Sequence, residues 1–151
     1  MSYIEILRRA EYFKGLNDDE LRFVDKICRE EYCDAEAIIF HEGDEAKNLY
    51  VVKEGKVSIY MEEGQVRPLT VYIVSDGGAF GWSALVKPNR FTAGAKCLEK
   101  TNIIVINAAE MRKLCQTNPR LGEIVMENLA YLVSSRLKNM RQQILTQGQP
   151  W

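Results

Sequence analysis

Between Glu31 and Ile106 the chain is a succession of short runs rich in Val, Ile and Tyr, each closed by Gly, Asp or Pro: AIIFHEGD, LYVVKEGKVSIYMEEG, RPLTVYIVSDGG and AGAKCLEKTNIIVIN. Several strands at regular short spacing, with turn residues between them, predict a β-barrel or sandwich. Helical spacing flanks this section on both sides. Apolar residues fall at that spacing over 4–13 and again over 17–30, as in Leu21, Val24 and Ile27. Asn17 is a helix-capping residue there, and Asp18, Asp19 and Glu20 favour the positive end of the helix dipole. After the strands, NAAEMRKLCQTNP reads as a short helix that stops before Pro119.

A long helix then runs from about Arg120 to Leu145, with Leu121, Val125, Leu129, Leu132, Leu137, Met140 and Ile144 as its apolar positions. Met126 and Val133 widen the set into a broad stripe, not a strict seam. Part of the stripe must cover the β core, and the outer half is a candidate homodimer surface; the alternative is a helix packed wholly on its own barrel. The expected fold is mainly β with flanking α, a double-stranded β-helix (jelly-roll) barrel with short N-terminal helices and a long C-terminal helix. With 151 residues, 46% of them hydrophobic, this is one domain over 1–145 followed by a polar, flexible tail over 146–151.

Composition excludes several functions. Twenty Lys and Arg balance 21 Asp and Glu, so no overall field holds the chain to nucleic acid or anionic lipid. MSYIEILRRAEYF lacks the apolar core of a signal peptide and the ~20 apolar residues of a membrane span, which makes a cytoplasmic protein the expectation. Cys28, Cys33, Cys97 and Cys115 form no CxxC pair and are expected as reduced core thiols. His41 is the single histidine, too few for a His-rich metal site, and no nucleophile, base and oxyanion donor come together, so neither a metal ion, a cofactor nor catalysis is expected. Arg136, Lys138 and Arg141 lie near the end of the long helix, where the dipole favours cations in any case, and the chain stops without a recognition helix. Direct nucleic-acid reading is not expected.

Two ordered motifs narrow the reading. GDEAKNLYVVKEGKVSIY, from Gly43 to Tyr60, runs Gly-Asp, a gap, Leu-Tyr, two apolar residues, then Gly-x-Val. Gly43 and Gly55 supply turns of positive φ, and Leu49, Val51, Val57 and Ile59 are expected to alternate inward along a hairpin. Some two dozen residues later comes GGAFGWSALVKPNRFTAG, with Gly77, Phe80, Gly81, Ala84, Leu85, Pro88 and Arg90 in order. Together these resemble the opening and the phosphate-binding cassette of cyclic nucleotide-binding domains, as in catabolite activator-type regulators, kinase regulatory subunits and gated channels.

The resemblance implies a small anionic ligand, cyclic AMP or another cyclic nucleotide, held by Phe80, Gly81, Trp82, Ser83, Ala84, Arg90, Phe91 and Thr92. A cyclic phosphate takes backbone N–H donors from a short turn and one fixed cation; Gly81, Ser83, Ala84, Thr92 and Ala93 let the backbone approach, and Arg90 supplies the charge-assisted bond. The family's ribose-contacting glutamate is replaced by Trp82, whose indole can donate but not accept, and the interval to Arg90 is one residue short. Trp82 either fills the ribose space or points outward to plug the barrel mouth. Two functions follow: a stand-alone sensor that signals through its C-terminal helix, or a module that has lost its ligand and serves dimerisation or docking to an unidentified protein partner.

Overall fold

Among the described residues, eight strands form two four-stranded sheets with antiparallel pairing throughout. The computed structural model describes residues 2–62, 64 and 66–146. The order is α1 (Ile4–Arg9), α2 (Asp18–Asp25), β1 (Cys28–Cys33), β2 (Ile38–Phe40), β3 (Asn48–Glu54), β4 (Val57–Met61), β5 (Leu69–Val74), β6 (Ala79–Phe80), a 3-10 turn (Trp82–Leu85), β7 (Gly94–Cys97), β8 (Thr101–Asn107), α3 (Ala108–Thr117) and α4 (Pro119–Thr146). One sheet runs β1-β8-β3-β6 and the other β2-β7-β4-β5. Every connection except β4 to β5 therefore crosses from one sheet to the other, which is jelly-roll connectivity. Among the described residues no strand ladder joins the sheets, so they face one another as an open sandwich and do not close into a barrel.

That crossing corrects one expectation. β3 pairs with β8 and β6, whereas β4 pairs with β5 and β7, so Gly43–Tyr60 is a corner between sheets and not a hairpin. The expected alternation is absent as well: Leu49, Tyr50, Val51 and Val52 are all buried, as are Ile103 to Ile106 on β8. A continuous apolar run marks a strand covered on both faces, and α3 supplies part of the outer cover by packing on β8. The N-terminal helices are shorter than expected. α1 ends at Arg9, and α2 ends at Asp25 because residues 28–33 pair with β8 over six positions, from Cys28 opposite Ile106 to Cys33 opposite Thr101. Tertiary pairing overrides the helical spacing there.

The cap at Asn17 is as expected. Asn17 accepts the Glu20 N–H while the Glu20 side chain accepts the Asn17 N–H, a complete capping box. The same Glu20 carboxylate meets Arg120 in the first turn of α4 and so ties α2 to α4. Burial pushes its carboxyl upward, but the Asn17 N–H and Arg120 outweigh this and hold it below its ordinary value. Asn107 caps α3 by accepting the Glu110 N–H. All four cysteines are free thiols, and burial pushes Cys28 up to about 12 and Cys33 up to about 11. α4 continues through Thr146, the first residue of the expected tail; 147–151 lie outside the described residues.

The corner between β3 and β4 is held by Gly55, with φ 127° and its N–H donated to Asp76. A Cβ there would stand 2.8 Å from the Thr101 Cα, whereas Gly43, at φ +90°, has open space around it. Gly55→Ala is expected to cost about 2 kcal/mol or more, and Gly43→Ala about 1 kcal/mol, backbone strain alone. Urea unfolding of the two variants measures the difference, and equal costs would refute a packed corner at Gly55.

Candidate functional site

The stretch from Gly77 to Ala93 wraps one end of the sandwich, and its conformation follows from single residues. Phe80 is fully buried, stacked on Tyr50 with centroids 5.0 Å apart, and its carbonyl accepts the Tyr12 hydroxyl at 2.8 Å. Gly81 follows at φ +79°, where a Cβ would lie 2.7 Å from the Tyr50 ring. Only glycine makes this turn without displacing Tyr50. The 3-10 turn Trp82–Leu85 comes next and buries Ala84. Asn89, at φ 60°, donates its amide to the carbonyls of Ser83, Ala84 and Val86, and Arg112 of α3 donates to Ala84 as well. The far limb is strapped to 43–46: Gly43 N–H to the Phe91 carbonyl at 2.8 Å, Phe91 N–H to Asp44 and Ala46 N–H to Asn89.

Extended residues point alternately to opposite sides, and here that alternation decides the site. Phe91 points inward and stacks on Phe40, with centroids 3.6 Å apart and planes 8° from parallel. Arg90 consequently points outward. It is exposed, and its Nη1 donates to the Gly43 carbonyl at 3.1 Å. The phenyl ring of Phe91, not the guanidinium, takes the interior.

Of the expected site residues, Gly81, Trp82, Ser83, Phe91 and Thr92 meet around one cavity, with Phe40, Ile59, Tyr72 and Ala93 completing its wall. Phe80 and Ala84 lie behind it in the core, and Arg90 does not reach it. The cavity measures about 30 Å³, room for roughly one water. No carboxylate lines it.

Trp82 neither floats at the mouth nor turns to solvent. It is half-buried and lies parallel to Tyr72 of β5, centroids 6.3 Å apart and planes 2° from parallel. The Arg136 guanidinium, from α4, stands 4.5 Å from the centroid of the same Tyr72 ring. Arg136 also reaches Glu11 at 3.5 Å, and Glu11 accepts the Ala79 N–H at 2.9 Å. Burial pushes the Tyr72 hydroxyl up to about 12, against the opposing pull of Arg136. Sequence reasoning missed Phe40, Tyr72 and Asn89 and placed Arg136 only as a helix-end cation. The apolar positions of YIV in β5 carry a signal for Tyr72, but which helix covers it depends on tertiary packing.

Residues 30–118 match the family model for the cyclic nucleotide-binding domain. A solved protein of Geobacter metallireducens GS-15, named for cyclic nucleotide binding, is 32% identical, with a TM-score of 0.79 and coverage of 91% of this chain and 99% of that one. The catabolite activator protein of Thermus thermophilus is 24% identical at a TM-score of 0.75, covering 89% of this chain and 62% of that one; it shows a shared fold. Among curated proteins, glutaminase 1 of Bradyrhizobium diazoefficiens is 30% identical over 142 residues, 93% of this chain and 22% of that protein. The cyclic AMP receptor protein of Thermus thermophilus is 28% identical over 100 residues, 66% of this chain and 44% of that one. The chain thus spans less than half the length of either curated relative.

Removing Arg136 tests the link between α4 and Trp82. Arg136→Ala is expected to cost about 1 kcal/mol, the scale of a partly desolvated cation–π contact, and to shift Trp82 emission in a Trp151→Phe background. Emission identical to the parent would show that the guanidinium does not hold the Tyr72–Trp82 pair.

Proposed function

The chain belongs to the cyclic nucleotide-binding domain family, and from that membership we propose that it is a non-catalytic regulatory module whose interior site is closed by its own aromatic side chains and whose output is α4. The size of the interior carries this reading. About 30 Å³ remains between Phe40, Tyr72, Trp82 and Phe91, against roughly 300 Å³ or more for a small-molecule site. The phenyl of Phe91 and the indole of Trp82 stand in for a ligand, and no carboxylate lines the wall to accept a ribose hydroxyl.

Tyr72 supplies the route outward. One ring carries both Trp82 and Arg136, so a change at the plug reaches the C-terminal half of α4. Beyond Leu132 that half touches the sandwich through few residues, among them Ser135, Arg136 and Met140, with Gln143 donating to the Val71 carbonyl at 3.4 Å.

α4 divides into two faces. Leu121, Gly122, Val125, Leu129 and Leu132 are buried against the domain. Met126, Ala130, Val133, Leu137, Met140 and Ile144 follow one another at alternating spacings of four and three, and all but Met140 are exposed. The broad stripe read from the sequence is therefore two stripes, and the outer one has the 4-3 spacing of a coiled-coil seam. A homodimer through this seam is its simplest occupant, and a helix of another protein is the alternative. Val133→Glu with Leu137→Glu would place two charges in the seam; the pair is expected to turn a dimer into a monomer in sedimentation without loss of fold. A parent that is monomeric at every concentration would remove the claim.

A second reading has its own support: a cyclic nucleotide or related phosphorylated small molecule enters once Phe91 and Trp82 withdraw. Gly81 and the 3-10 turn are in place, and Arg90 sits at the rim held by one exposed hydrogen bond. Calorimetric titration with cyclic AMP, cyclic GMP and cyclic dinucleotides separates the two. The closed module predicts a silent parent and binding gained in Trp82→Glu, which restores an acceptor and removes the plug. A parent that binds, and loses binding in Trp82→Glu, would establish a retuned site instead.

A further inference from the structure

A cleft separate from the sandwich interior opens between the end of α1 and the β5–β6 turn. It encloses about 330 Å³, within the range of small-molecule sites. Three cations line it, each from a different element: Arg9 at the end of α1, Lys14 in the turn that follows, and Arg136 on α4. Two carboxylates also line it, and both are engaged by the backbone. Glu11 Oε1 accepts the Ala79 N–H at 2.9 Å, and Asp76 Oδ1 accepts the Gly55 N–H at 3.0 Å.

The cations have no such engagement. Among the described residues Arg9 and Lys14 form no salt bridge and no side-chain hydrogen bond, and Arg136 reaches Glu11 only at 3.5 Å. The Arg136 Nε is buried with no partner at all. Three positive groups therefore converge on a polar cleft whose acids already serve the backbone. The floor is Gly77 at φ +82°, where a Cβ would meet nothing, and its glycine keeps the cleft free of a side chain.

We propose that this cleft is a second binding site, for a small multivalent oxyanion of the phosphate type. Arginine matches such an anion with paired N–H donors, and lysine adds a mobile ammonium. Three cations against two carboxylates leave the lining one positive charge in excess, and an oxyanion offsets it. Arg136 gives the site its consequence, because the same guanidinium covers Tyr72; an anion held by Arg9 and Lys14 stands beside the contact that fastens α4. The site is independent of whether a nucleotide enters the sandwich.

Calorimetric titration of the full chain with pyrophosphate tests it, at ionic strength held constant with potassium chloride. Saturable binding is expected, weakened about tenfold or more in Arg9→Gln with Lys14→Gln and unchanged in Lys138→Gln with Arg141→Gln, two exposed cations of α4 outside the cleft. Thermal unfolding shows that each variant keeps its fold. Absence of saturable heat in the parent would overturn the proposal, and so would an affinity that survives the loss of both Arg9 and Lys14.

Discussion

One aromatic ring, Tyr72, joins the parts of this molecule that would otherwise be independent. It belongs to β5, an outer strand of its sheet, and it carries the indole of Trp82 from the loop and the guanidinium of Arg136 from α4. Each contact alone is worth on the order of 1 kcal/mol. Their importance lies in sharing a ring: Trp82 cannot leave its place without changing what Arg136 rests on, and Arg136 is in turn bridged by Glu11 to the N–H of Ala79. Loop, sheet and helix are thereby fastened within one small region.

The jelly-roll connectivity explains why that region lies where it does. Because successive strands cross between sheets, the loop that follows β6 must leave one sheet and return on the other at β7. It passes over the end of the sandwich, where inward side chains fill the space between sheets. Phe91 on Phe40 and Trp82 on Tyr72 fill it with rings from the loop and from the sheet of β2 and β5.

Much of this was legible in the sequence. The strand runs, the cap at Asn17, the stop before Pro119 and the glycine turns at Gly43 and Gly55 all follow from local chemistry, since a cap or a positive φ is decided by the residue that makes it. What was not legible depends on partners distant in the chain. Residues 28–30 continue a helical spacing and become strand because β8 offers six pairing positions. The corner at Gly55 resembles a hairpin turn until the sheets separate. The direction of Arg90 is set by Phe91, which finds a ring at Phe40 across fifty residues of sequence.

A fold of this kind could keep a regulatory role with its interior filled on one condition. A helix responds to a pocket only if some contact differs between two arrangements of the pocket. On the function proposed for this chain the contact would be Tyr72, responding to the position of Trp82 whether a nucleotide entered the sandwich or a partner helix drew α4 along its outer seam. With buried side chains on α4 ending at Leu132, the segment beyond is fastened mainly by polar and cation–π contacts, weaker than an apolar interface of the same length. Coupling by linkage is reciprocal: whatever pulls Arg136 from Tyr72 loosens Trp82 to the same degree that opening at Trp82 loosens α4. A plug built from the chain's own aromatics would therefore not disconnect the helix from the pocket, because Trp82 and Arg136 rest on one ring.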